Sequence, residues 1–72
     1  MNKKQFVETI LSETISIASG RGTHGWVAGL SFDEEIEVVT IHCKNGYTYE
    51  VNVYGDSHLA IIEDVMKEVM RH

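Results

Sequence analysis

The 72 residues read as an α+β fold of order α-β-β-β-α, a three-stranded antiparallel sheet with two helices packed on one face. Two rows of apolar residues at three- and four-residue spacing, one near each end of the chain, predict the helices. Between them, stretches of alternating apolar residues separated by Asp33-Glu34-Glu35 and Asn45-Gly46 predict three strands joined by short turns.

The first helix starts after Asn2. Asn is a good N-cap, Gln5 stands three residues on as in a capping box, and Met1 is placed to pack onto Phe6. Phe6, Val7, Ile10, Leu11, Thr14, Ile15 and Ala18 form its apolar stripe, which leaves Glu8 and Glu13 facing out. Lys3 and Lys4 occupy the first turn, against the helix dipole. Gly20 is the expected C-cap. Residues 19–25, Ser-Gly-Arg-Gly-Thr-His-Gly, then form a connecting loop.

Trp26, Ala28, Leu30 and Phe32 alternate with Val27, Gly29 and Ser31, as in a first strand. The acidic turn follows. A second strand is expected from about Glu35 to Cys43 and a third from Tyr47 to Tyr54. Val39, Ile41 and Cys43 share parity with Tyr47, Tyr49, Val51 and Val53. Only a three-residue loop, Lys44-Asn45-Gly46, brings these two odd sets to one face, and it needs Gly46 in the left-handed region. Ile36 and Val38 fall on the opposite phase from Val39, which predicts a bulge near Val38. Asp56 or Ser57 caps the last helix. Leu59, Ile62, Val65, Met66, Val69 and Met70 are its expected apolar face, with Glu63, Asp64, Lys67, Glu68 and Arg71 solvated.

Composition limits the functional classes. A chain of this length supports one core, so residues 1–72 are expected to form a single domain with a stability of about 3–5 kcal/mol. Cys43 is the only cysteine, which excludes an internal disulfide and fits a reducing, cytoplasmic setting. Neither a signal-peptide apolar core nor a membrane-length apolar run is present. Net charge is −5, from eleven acidic against six basic side chains, and this balance speaks against direct nucleic-acid binding. It suits a protein partner with a basic surface.

Chemistry-bearing motifs are absent. The glycine-containing loop leaves a helix C-terminus, whereas phosphate loops lead into an N-terminus. His24, His42, Cys43 and His58 fit no metal spacing, and His42 and Cys43 point to opposite faces of a strand. Burial of Cys43 on the apolar phase removes it as a nucleophile. The expectation is therefore a protein without catalytic residues, cofactor or metal.

The element order resembles that of the double-stranded-RNA-binding domain. That family carries a lysine cluster at the start of its last helix, where this chain has Gly55-Asp56-Ser57-His58. The resemblance implies shape and not RNA binding. In size, acidity and lack of chemistry the chain also resembles the small inhibitor proteins encoded by phages and prophages, the anti-CRISPR class among them.

The expected function is a non-enzymatic protein-binding module, in its sharper form a phage-encoded inhibitor engaging a basic surface of a host nucleic-acid-processing protein. A structural homo-oligomer and a double-stranded-RNA-binding-like domain are the alternatives. The candidate partner-binding residues are Glu34, Glu35, Ile36 and Glu37 of the acidic turn, Glu50 and Tyr54 beside it, and Arg21, His24 and Trp26 of the loop.

Overall fold

The computed structural model describes residues 1–20 and 26–71, and the side chains of all of these except 18–20. Its order is helix-β-β-β-helix, and the strands form one antiparallel sheet in the order β1-β2-β3. The first helix consists of α1 (Lys3–Gln5), a π-helical stretch (Phe6–Leu11) and α2 (Ser12–Gly20). The strands are β1 (Val27–Asp33), β2 (Val38–Cys43) and β3 (Thr48–Asn52), and α3 (His58–Arg71) is the last helix. No described helix is long and apolar enough to cross a membrane.

The capping box forms as expected. Asn2 Oδ1 accepts from the Gln5 N–H at 2.8 Å, and Gln5 Oε1 accepts from the Asn2 N–H at 3.3 Å. Met1 remains 69% exposed. Val7, Leu11 and Ile15 are the buried row, while Ile10, Thr14 and Ile17 are exposed. The wider π turn of Phe6–Leu11 changes the angular spacing of these residues.

Glu8 does not face solvent as expected. Its Oε2 accepts from the Phe32 N–H at 2.9 Å and from Lys4 Nζ at 3.1 Å. One turn later Ser12 Oγ accepts from the Leu30 N–H at 2.9 Å, and Ser16 Oγ donates to the Ala28 carbonyl at 3.0 Å. Lys4 Nζ also donates to the Phe32 carbonyl at 3.3 Å. The row Lys4-Glu8-Ser12-Ser16 thus lies antiparallel along the outer edge of β1 and occupies backbone groups that a fourth strand would otherwise take.

In β1 the buried side chains are Val27, Leu30 and Phe32, and Ala28 is exposed. The expected alternation from Trp26 breaks because the pairing with β2 shifts between Val27 and Gly29, the signature of a bulge. The bulge expected near Val38 is absent from β2. Its pairing with β3 runs uninterrupted from Val38↔Asn52 to His42↔Thr48. Residues 34–37 belong to the turn, so β2 starts at Val38, and Glu37 (φ 51°) makes the phase change there.

The β2–β3 hairpin follows the parity argument. The Cys43 N–H donates to the Tyr47 carbonyl at 2.9 Å, the Gly46 N–H donates to the Cys43 carbonyl at 3.0 Å, and Gly46 has φ 95°. Val39, Ile41 and Cys43 are buried on one face. Tyr47, expected on that face, is 69% exposed because it lies beyond the paired segment.

Ser57 is the cap of α3, its Oγ accepting from the Ala60 N–H at 3.2 Å. The buried row of α3 is Ile61, Val65 and Val69. Leu59, Met66 and Met70, expected inside, are exposed, and Asp64 and Glu68 are half-buried. Both helices and the inward face of the sheet share one cluster: Val7, Leu11 and Ile15, then Val27, Leu30, Phe32, Val39, Ile41 and Val53, then Ile61, Val65 and Val69. Rings of Phe6 and His58, 4.9 Å between centroids, bring the starts of the two helices together.

Candidate functional site

The turn between β1 and β2 is organised by its own first residue. Asp33 Oδ1 accepts from the Glu35 N–H at 2.9 Å and from the Ile36 N–H at 3.4 Å, an Asx turn. This fold-back leaves Glu34 and Glu35 exposed at its tip and Ile36 57% exposed beside them.

Glu37 behaves differently from its neighbours. Its side chain is 25% exposed, and Oε1 accepts from Lys3 Nζ at 2.8 Å and from the Gly55 N–H at 3.1 Å. The Lys3 ammonium, and after it the Gly55 N–H, hold this carboxylate below its ordinary range. Its carbonyl accepts from the Val53 N–H at 2.9 Å. Glu37 therefore ties the acidic turn to the start of the first helix and to the segment leading into α3, where Gly55 turns with φ 76°.

The Glu37–Val53 bond puts Ile36 and Tyr54 each one residue beyond a bonded pair at this end of the sheet; Tyr54 is 73% exposed and its N–H is held by Asn52 Oδ1 at 2.9 Å. Glu50, also exposed, lies on the outward face of β3, opposite Thr40. One end of the sheet thus carries two large exposed apolar side chains, Ile36 and Tyr54, and the exposed Asp33, Glu34 and Glu35, with Glu50 further along the outward face of β3. A cleft of about 300 Å³ adjoins this end, lined by Asn2, Lys3, Lys4, Phe32, Glu34 and Glu37. Its cations are engaged, Lys3 with Glu37 and Lys4 with Glu8, so the free charge beside it is negative.

The second half of the expected site lies elsewhere. Trp26 is half-buried against the core, its ring edge-on to Tyr49 with centroids 6.1 Å apart, and its carbonyl accepts from the Lys44 N–H at 2.8 Å. It sits at the hairpin end of the sheet, the length of β2 or about 17 Å from the acidic turn. Arg21 and His24 lie outside the described residues. Glu34, Glu35, Ile36 and Tyr54 therefore lie at one end of the sheet, Glu50 faces outward within β3, Glu37 is tied to Lys3 and Gly55, and Trp26 lies at the opposite end.

Asp33 was not among the expected site residues, although an Asp opening a four-residue turn signals the side-chain hydrogen bonds that shape it. Elsewhere, Cys43 is buried and His42 is exposed on the outward face, 2.8 Å from Ser31 Oγ. Among the described residues no group of three or more His, Cys, Asp or Glu side chains is placed to hold a metal ion. Comparison with known protein families, curated proteins and solved structures finds no match for the chain.

Proposed function

We propose that the chain is a binding module that engages a basic protein surface through the acidic end of its sheet, without catalysis. The observation that carries this reading is that exposed Ile36 and Tyr54 lie at the same end of the sheet as the exposed carboxylates of Glu34 and Glu35, with Glu50 on the outward face of the adjoining strand. Apolar contact supplies affinity in such a patch, and the surrounding charge steers the encounter and selects a cationic partner. In its sharper form the module is an inhibitor of the phage-encoded type. Lys- and Arg-rich surfaces that bind phosphate backbones are the natural target of such a patch, and covering one would block nucleic-acid access.

The test is capture of host protein at rising salt by the wild-type chain and by two variants of equal net charge. Glu34→Gln/Glu35→Gln removes two negative charges at the turn, and Glu13→Lys changes the charge by two on the first helix. Loss of the salt-sensitive capture in the first variant only supports the reading. Equal behaviour of the two variants refutes it. Glu37 is left intact, because its loss would release Lys3 and Gly55.

A further inference from the structure

The outer surface of α3 carries an apolar band that the acidic-turn reading does not use. On α3, Leu59 and Met70 are 66% exposed and Met66 is 37% exposed, with Ile62 half-buried beside them. On the first helix, Ile10 and Ile17 are 49% and 53% exposed. The Phe6–His58 contact shows which sides of the helices meet. Ile62 and Met66 continue the row that begins at His58 by α-helical spacing. Leu59, Ile62, Met66 and Met70 therefore form one exposed apolar band along α3, on the side that reaches the first helix at Phe6.

Two exposed charges run beside this band on α3. Glu63 and Lys67 are four residues apart, the favourable order for a pair within a helix, yet no ion pair joins them or ties either to another described residue. Their midpoint falls at position 65. The exposed apolar stripe, from Leu59 to Met70, has its midpoint between positions 64 and 65. A two-fold axis through that point, relating two antiparallel copies of α3, sets Leu59 against Met70 of the second copy. The same axis sets Glu63 against Lys67 of the second copy, twice. One operation thus matches both the apolar and the charged features, as an isologous contact requires.

We propose that this band is the interface of a homodimer, with the α3 helices antiparallel across a two-fold axis. Methionine at two of the contact positions suits a surface that must repack on association.

The test is sedimentation equilibrium of the full chain over about 5–500 µM, a range that spans micromolar affinity. The mass should rise from 8.1 kDa towards twice that value. Leu59→Glu should weaken association more than about 100-fold, by placing two carboxylates in the apolar contact. Glu63→Lys and Lys67→Glu should each weaken it about ten-fold, because each creates two like-charge contacts. The double swap, Glu63→Lys/Lys67→Glu, should return to within about two-fold of wild type. All four variants change exposed residues, and a urea melt of each establishes that the fold is retained. A monomeric mass across the range overturns the proposal and leaves the band to a different partner. Association that survives Leu59→Glu, or that the double swap fails to restore, overturns it equally.

Discussion

Replacing Ser12 by Ala tests whether the first helix seals β1 through specific hydrogen bonds. In the wild type, Ser12 Oγ accepts the Leu30 N–H at 2.9 Å in a part-buried setting, on the side of β1 that has no neighbouring strand. Removing the oxygen leaves that N–H without a partner, a cost of about 1–3 kcal/mol. The better helix propensity of Ala offsets about 0.5 kcal/mol, for a net loss of about 1–2 kcal/mol. Against a total of about 3–5 kcal/mol this is a large fraction. Each kcal/mol lowers Tm by roughly 4–8 °C for a chain of this length. Urea melts followed by circular dichroism provide the assay, with Thr14→Ala as the control, since Thr14 Oγ1 bonds only within its own helix, to the Ile10 carbonyl at 2.7 Å. A Cβ built on Gly29 would stand 3.2 Å from Ser12 Oγ. Gly29→Ala should therefore cost less in the Ser12→Ala background than in the wild type. A Ser12→Ala protein as stable as Thr14→Ala would refute the sealing argument, and strict additivity with Gly29→Ala would refute the close approach.

Gly46→Ala should destabilise by about 1–2 kcal/mol, since nothing lies within 4 Å of the added Cβ and the cost is the left-handed backbone alone. Asn45→Ala, which loses one exposed bond to the Tyr47 N–H, should cost less in the same urea melts. Cys43, 8% exposed, should react with a thiol reagent slowly in the native state and rapidly in denaturant; equal rates would place it at the surface. Stability should also depend on pH through three carboxyls. Glu8, lowered by the Phe32 N–H and then Lys4, and Glu37, lowered by Lys3 and then Gly55, stabilise the fold above the ordinary value of 4.5 and lose that contribution as pH falls below it. Asp56 is raised by its hydrogen bond with Asp64 and then by burial, so its contribution is present below 3.8 and is lost as pH rises through its folded value. Asp56→Asn should accordingly be more stable than wild type at pH 7 and should lose that advantage in acid, in melts taken across the range.

Much of the fold was legible in local pattern. The Asn2–Gln5 box, the Ser57 cap and the three-residue hairpin each depend on residues within a few positions of one another, so sequence spacing contains the geometry. The first helix's polar row was not legible in the same way. Glu8, Ser12 and Ser16 look solvated on a helical projection, because such a projection cannot distinguish a face in water from one against a strand edge. Their recurrence at four-residue spacing beside the buried Val7-Leu11-Ile15 row was the available signal. In α3 the apolar arc is wider than the core it covers, and the pattern put Leu59 inward where the structure buries Ile61. The acidic turn was legible as a charged surface. The separate role of Glu37 was not, since its partners Lys3 and Gly55 are distant in sequence.

The sealed edge of β1 limits how these molecules can join one another. Odd-numbered residues of β3 direct their backbone groups to β2, as the Cys43–Tyr47 and Val53–Glu37 bonds show, so those of Thr48, Glu50 and Asn52 point away from the sheet. Only that side can accept another strand. In the language of polymer chemistry the sheet is monofunctional towards strand pairing: it can terminate a growing sheet or cap one neighbour through β3, but among the described residues it offers no second strand edge from which a sheet could propagate. Breaking the Lys4-Glu8-Ser12-Ser16 row would make it bifunctional, turning a chain stopper into a chain extender without changing a single residue of the sheet.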